Sequence, residues 1–322
     1  MNVLSLFDGM SCGQIALNKL GIEYDNYYAC EIDKHAITVT KKNYPNTIHL
    51  GDVRDINSET FGDNKIDLII GGSPCQGFSF AGKQLNFDDP RSALFFEYVR
   101  LLKELNPKYF LLENVKMRKE YEDVITDFLG VDPVFIDSKS LTPQTRKRLY
   151  WTNIPNTTHP PQIVTEFDSI IEKTHPITHN MIEYLDKFPL LKQNGDKLTH
   201  PEATKKGYVE AGLYEGIDLS FPNSKTRRGR YMKEWSNCLT ASSHDLGVVV
   251  KHEGKLIWRR FTPVECERFQ TVPDNYTSVK DENGNDLISD SQRYKMLGNG
   301  WTVDVIAHIF SNMNFTSVLT GA

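Results

Sequence analysis

The chain has 322 residues, 39% of them hydrophobic and 25% charged, with 15 prolines and 21 glycines spread along its length. That composition excludes collagen-like, low-complexity and wholly disordered chains. No apolar run approaches the roughly 20 residues that cross a bilayer, and the opening Met1-Asn2-Val3-Leu4-Ser5-Leu6-Phe7-Asp8 lacks the basic flank expected of a secretory leader. The net charge of −5 argues against a generally basic nucleic-acid coat and leaves local patches open. The cysteines, Cys12, Cys30, Cys75, Cys238 and Cys266, form no CxxC pair and no zinc-like spacing. Free thiols in a reducing, cytoplasmic compartment are expected, and no metal.

Residues 1–155 repeat one rhythm of apolar run, turn and helical stretch. The runs 2–7, 24–30, 47–50, 66–70, 109–112, 133–136 and 149–154 predict strands; 13–20, 34–43, 92–105 and 118–129 predict helices. Strands that are apolar throughout and alternate with helices predict an α/β fold, a doubly wound, mostly parallel sheet covered on both faces. Ligands of such sheets sit beyond the carboxyl ends of the strands, so chemistry should follow each run. From 156 to 255 the rhythm fails. Pro160, Pro161, Pro176, Pro189, Pro201 and Pro222 interrupt it, and a smaller lobe of loops and short strands is predicted there. Over 256–322 order returns. Thr262-Pro263-Val264-Glu265 predicts a capped helix start with Pro at its first position. A polar loop is placed at 280–290, and Gly298-Asn299-Gly300 is read as opening a last helix over 303–310.

The first strand ends in Phe7-Asp8-Gly9-Met10-Ser11-Cys12-Gly13, whose glycines let the backbone pass close to a ligand over a helix N-terminus. The second ends at Glu31, about 20 residues on, where a carboxylate can accept both hydroxyls of a ribose. The third leads to Gly51-Asp52, placed for an adenine amino group. Together these read as a nucleoside-cofactor site, although the spacing departs from G-x-G-x-x-G. The fourth strand ends in Gly71-Gly72-Ser73-Pro74-Cys75-Gln76-Gly77-Phe78-Ser79, which presents a thiol in the cleft. A nucleophilic cysteine acts as its thiolate and needs an electropositive site. The fifth strand supplies Glu113-Asn114-Val115, and after the sixth comes Thr142-Pro143-Gln144-Thr145-Arg146-Lys147-Arg148, whose two arginines are expected at the same edge. Alone, the thiol reads as core and the acid as surface. On successive strand ends they read as a reaction centre. His175 and His179 stand four apart but lack the acid of a HExxH metal motif.

These residues carry a resemblance. Phe7-Asp8-Gly9, Glu31, Gly51-Asp52, Pro74-Cys75-Gln76, Arg91-Ser92-x-Leu94-Phe95, Glu113-Asn114-Val115, Gln144-x-Arg146-x-Arg148, the block from Arg260 to Arg268, and Gly298-Asn299 stand in one order along nearly the whole chain. In that order they resemble a DNA (cytosine-5) methyltransferase. Met10-Ser11-Cys12-Gly13 and Gly300-Trp301 depart from the pattern of many members, and both changes touch the cofactor pocket.

The resemblance implies a seven-stranded, Rossmann-like methyltransferase sheet, with 1–155 and 256–322 as the catalytic domain and 156–255 as the target-recognition region. It implies S-adenosylmethionine as cofactor, held by Phe7, Asp8, Gly9, Gly13, Glu31, Ile32, Asp52, Val53, Ser73, Pro74, Asn299 and Trp301. Catalysis falls to Cys75, Glu113, Arg146 and Arg148. Double-stranded DNA would be met by Gln76, by Ser79 and Lys83 in a loop over 77–89 that closes on a flipped cytosine, and by Arg227, Arg228 and Arg230. The last three lie in a basic run, Lys225 to Lys233, with five positive charges in nine residues. The block from Arg259 to Arg268 is expected to brace the recognition lobe. A monomeric bacterial or phage enzyme is implied, acting alone or beside an independent restriction endonuclease. Methylation of transfer RNA by a related branch, and a non-catalytic binding role, stay open at this point.

Overall fold

In a computed structural model of the chain, residues 1–73, 90–221, 224, 230–241 and 245–314 are described. The chain forms two compact units: Met1–Asp137, Lys147–Pro160 and Val303–Ala322 in the first, Ser138–Arg146 and Pro161–Thr302 in the second. The second unit is larger than the lobe read from the sequence, because it also takes 138–146 and 256–302.

The first unit holds strands β1 (Asn2–Leu6), β2 (Asn26–Cys30), β3 (Ile48–His49), β4 (Leu68–Gly71), β5 (Tyr109–Val115), β6 (Pro133–Asp137) and β7 (Lys147–Thr152). They form one seven-stranded sheet in the order β3-β2-β1-β4-β5-β7-β6. The β1–β2, β1–β4, β2–β3 and β4–β5 pairs are parallel, as the alternating pattern predicts. β7 runs antiparallel to both β5 and β6. The reason is length: 138–146 is shorter than the dozen or so residues a parallel crossover needs.

Helices α1 (Cys12–Lys19), α2 (Lys34–Asn43), α3 (Pro90–Leu105) and α4 (Lys119–Leu129) follow β1, β2, β4 and β5. Leu4, Leu6, Ile69, Phe110, Leu112 and Trp151 from the sheet form one cluster with Phe95, Tyr98 and Val99 of α3 and Ile125 and Leu129 of α4. On the opposite face Ile70 meets α1 so closely that a Cβ at Gly13 would lie 2.3 Å from its Cδ1. Consecutive strand residues thus serve opposite faces, as the two-residue strand period requires, and the sheet is doubly wound.

The second unit contains α5 (Phe167–Ile170), α6 (His179–Tyr184), and a three-stranded sheet of β8 (Lys192–Asn194), β9 (Lys197–Pro201) and β10 (Tyr208–Ala211). A four-stranded antiparallel sheet follows, β11 (Gly216–Asp218), β12 (Arg230–Met232), β13 (Leu246–His252) and β14 (Lys255–Arg260), in the order β12-β11-β13-β14. Phe188, Leu198, Val209, Ile217, Leu219, Val249 and Trp258 form its core. α7 (Pro263–Phe269) starts as its sequence predicts: the Thr262 hydroxyl accepts from the Glu265 N–H, and the Glu265 carboxylate accepts from the Thr262 N–H at 2.8 Å. Glu265 also binds the buried Arg259 guanidinium through both oxygens, at 2.7 and 2.9 Å.

One helix was not expected. α8 (Asp290–Asn299) ends at Gly298-Asn299, so this motif closes one helix instead of opening the next. Only Met296, Leu297 and Gly298 of α8 are buried, which is why no apolar period marked it. The chain then re-enters the first unit as α9 (Val303–Phe310), which packs against α1 and pairs its Asp304 with Lys19. Among the described residues no helix is long and apolar enough to cross a membrane.

Candidate active site

The turn after β1 is built from unusual backbone. Phe7, Gly9 and Ser11 all take positive φ, at 59°, 59° and 66°. Two of these are not glycine, and such conformations persist only where the surroundings impose them. Here the constraints are visible. Asp8 N–H donates to the Cys30 carbonyl at 3.0 Å, Ser11 N–H to the Asp8 carbonyl at 3.1 Å, and Gly9 N–H to Glu31 Oε2 at 2.8 Å. The other Glu31 oxygen accepts from Ile32 N–H at 2.8 Å and Asp33 N–H at 2.7 Å. One carboxylate therefore ties the end of β1 to the end of β2.

Asp8 lies beneath this turn. Its Oδ1 accepts from the Tyr27 hydroxyl at 2.9 Å. Burial pushes its carboxyl up to about 6, outweighing the opposite pull of the Ser5, Tyr27 and Ser11 hydroxyls. Above the turn, no atom of the described residues beyond the chain neighbours lies within 4 Å of where a Gly9 Cβ would stand. Ile32 is 73% exposed beside Glu31. An open glycine backbone, a carboxylate at the neighbouring strand end and an exposed apolar side chain fit a nucleoside: backbone approach, ribose hydroxyls and base face in turn. Asp52 is more committed than expected. Its Oδ1 accepts from both the backbone N–H and Nε of Arg54 at 2.9 Å, and these bonds hold its carboxyl down at about 2. Val53 sits in the core cluster, 3% exposed.

At the other strand ends the geometry is tighter. Glu113 on β5 is buried, and its Oε1 lies 2.7 Å from Nε of Arg148 on β7. Val115 and Arg148 are register partners, so the sheet itself sets the pair. Asn114, between Glu113 and Val115 on β5, donates to the Ser73 carbonyl and hydroxyl at 3.4 Å each. It thereby fixes the exit from β4 two residues before Cys75. Asn114 was quoted in the motif without a role; a buried amide inside an apolar strand was the signal. Pro74, Cys75, Gln76, Ser79, Lys83, the loop 77–89, Arg227 and Arg228 lie outside the described residues.

The two arginines of the Gln144-to-Arg148 block do not share an edge. Arg148 is the second residue of β7 in the first unit, whereas Arg146 is 3% exposed within the second. Arg146 donates to the carbonyls of Leu239 at 3.0 Å, Gly300 at 2.7 Å and Gly298 at 3.3 Å. These contacts make the Arg146 guanidinium a backbone clamp. Arg230 also differs from a free phosphate ligand, since one terminal nitrogen pairs with the buried Asp218. Asn299 is exposed and Trp301 half-buried in the second unit.

Residues 1–314 match the C-5 cytosine-specific DNA methylase family, and the chain belongs to it. It is 29% identical to the type II methyltransferase M1.ScrFI of Lactococcus lactis subsp. cremoris, over 97% of this chain and 77% of that one. With the type II methyltransferase M.HhaI of Haemophilus parahaemolyticus it shares 27% identity, over 97% and 94% of the two chains. Among solved structures, a Spodoptera frugiperda DNMT2 mutant superposes with a TM-score of 0.66 at 21% identity, over 97% of this chain and 98% of that one, which fixes the fold. The chemistry of the family is methylation of cytosine at C5 in DNA, with S-adenosylmethionine as the methyl donor.

Proposed function

We propose that the protein performs the DNA (cytosine-5-)-methyltransferase reaction on a specific sequence of double-stranded DNA, through transient addition of the Cys75 thiolate to the cytosine ring. The observation that carries this is the buried Glu113–Arg148 pair, joined through Asn114 to Ser73 just before Cys75.

The C5 carbon of cytosine is a weak nucleophile. A sulfur–carbon bond from Cys75 to C6 would move electron density onto C5. Glu113, held by Arg148, is suited to hydrogen-bond N3 and the exocyclic amine, and so to neutralise charge arriving in the ring. Arg148 is placed to reach O2 while orienting Glu113. Bound S-adenosylmethionine supplies a methyl group on an electrophilic sulfonium. Loss of the C5 proton to a base, water or a side chain, and departure of the thiolate then restore the C5–C6 double bond. The ring face is accessible only when the base leaves the duplex, at a cost of a few kcal/mol. Glu31, the Gly9 backbone and Ile32 would hold the nucleoside part of the donor, and the family pattern assigns Asn299 and Trp301 to the same cofactor. Sequence reading falls to 156–255, where the basic run, through Arg227 and Arg228 above all, would supply phosphate contacts.

The reading places the enzyme in the cytoplasm of a bacterial or phage-infected cell, as a monomer, protecting DNA from a separately acting nuclease or modifying it alone. Bisulfite sequencing of DNA from cells expressing the protein tests it. Protected cytosines in one recurrent sequence context are expected; uniform conversion would remove the assignment.

A further inference from the structure

α7 is followed by a glutamine that no catalytic role uses. Gln270 is fully buried at the helix C-cap. Its Nε2 donates to the carbonyls of Leu297 at 2.7 Å and Gly300 at 3.2 Å. Its Oε1 accepts from the Thr302 hydroxyl at 2.8 Å and from Gln144 Nε2 at 3.2 Å. The amide orientation is settled by these partners, because a flipped group would set oxygen against two carbonyls.

The same short stretch is held from other directions. Arg146 donates to Gly298 and Gly300, and Ser138 meets the Thr302 hydroxyl at 2.9 Å. A Cβ at Gly298 would lie 2.3 Å from the Thr240 backbone, so only glycine allows that approach. Helix ends leave carbonyls without intrahelical partners, and here buried side chains take those of Leu297 and Gly298. Yet the segment 298–302, so tightly held, keeps Asn299 exposed and Trp301 half-buried. A rigid backbone presenting accessible side chains is the arrangement of a preorganised ligand loop.

We infer that Gln270 is a positioning residue for S-adenosylmethionine binding, acting through the backbone that carries Asn299 and Trp301. This rests on the reading above, which gives those two residues to the cofactor. Gln270 itself touches neither cofactor nor DNA in this account.

The test compares KM for S-adenosylmethionine, KM for duplex DNA, kcat and thermal midpoint for the full chain, Gln270→Met and Thr302→Val, assayed well below every midpoint. Methionine keeps the length and removes both donors; valine keeps the volume of threonine and removes one partner of Oε1. Gln270→Met should raise KM for the cofactor about tenfold, the scale of one buried hydrogen bond transmitted to binding. Thr302→Val should raise it in the same direction by less. KM for DNA should stay within about twofold, and saturating cofactor should restore kcat. A lowered midpoint with an unchanged cofactor KM in both variants would reduce Gln270 to a structural residue, as would equal rises in both KM values. Wild-type protein that bound no S-adenosylmethionine would instead remove the cofactor reading, and the inference with it.

Discussion

Across the β5–β7 pair, Arg148 Nε stands 2.7 Å from Glu113 Oε1, with the two side chains only 13% and 11% exposed. A pair this buried is costly to split, because the surviving charge is left without water or partner. Arg148→Met should therefore lower stability by about 3 kcal/mol, and Glu113→Gln added to it should recover most of that loss. Neither the single nor the double variant should methylate. Glu113→Gln alone keeps the shape and should cut kcat by about 10²- to 10⁴-fold, the range of a lost general acid or base. Unfolding curves and methyl transfer read the two effects separately. A stable, inactive Arg148→Met would assign the arginine to chemistry and not to holding Glu113.

Cys75 is the residue on which the covalent route depends. Cys75→Ala should abolish methyl transfer while leaving S-adenosylmethionine binding within a few-fold, since most of the residues assigned to the cofactor lie at other strand ends. Duplex DNA bearing 5-fluorocytosine at the target should trap the wild-type protein in an adduct that survives denaturation, because fluorine cannot leave as a proton does. Peptide mapping should locate the link at Cys75. An active alanine variant would exclude the thiolate step.

Asp8 gives a pH signature. Its folded-state value, about 6, lies above the ordinary 3.8 because burial disfavours the charged form. A raised carboxyl favours the fold when neutral, so the contribution is complete below about pH 4 and is lost as pH rises through 6. That rise from 3.8 to about 6 corresponds to about 3 kcal/mol. Asp8→Asn keeps an oxygen for the Tyr27 hydroxyl and cannot ionise. Its stability relative to wild type should grow by up to that amount between pH 4 and 7, measured by denaturant unfolding. A flat difference across that range would mean that Asp8 does not titrate in the folded protein.

Much of this was legible before any coordinates. Strands apolar on both faces announced a covered parallel sheet, and Thr262-Pro263-Val264-Glu265 announced a helix start that the structure repeats. Glu31 and Glu113 were legible as strand-end acids. What they bind was not: that Glu31 staples Gly9, and that Glu113 meets Arg148, depends on strand order, which local pattern does not carry. The reversal of β7 could have been anticipated from the short 138–146 link. The α8 helix could not, because its polar surface hides the helical period. Arg146 and Arg148, one residue apart between them, looked equivalent as a motif. Only the fold sends one to Glu113 and the other to the carbonyls of 298–300.

The arginines of the basic run should be unequal toward DNA. Each phosphate contact adds about 0.9 to the slope of log affinity against log salt. Replacing Arg227 and Arg228 together by alanine should reduce that slope by nearly two units. Arg230→Ala should reduce it by much less than one, because Asp218 already pairs with that side chain. Fluorescence titration of one duplex at several salt concentrations measures all three. An equal loss for Arg230→Ala would mean that the Asp218 pair opens on DNA.

Glu31 is the last test, because it combines structure with ligand. Its carboxylate accepts three backbone N–H groups, from Gly9, Ile32 and Asp33, so glutamine would turn its amide NH2 against the donor or donors on one side. Losing one such part-buried hydrogen bond costs about 0.5–1.5 kcal/mol, and Glu31→Gln should lose stability on that scale. If the same carboxylate holds ribose hydroxyls, affinity for S-adenosylmethionine should also fall by at least about tenfold, which a tenfold change in Kd equates to 1.4 kcal/mol. Asp52→Asn is the control: Arg54 already occupies that carboxylate, so the affinity loss should be smaller. Calorimetric titration with the cofactor separates the two acids. Equal affinity for wild type and Glu31→Gln, at temperatures where both are folded, would confine Glu31 to stapling β1 to β2.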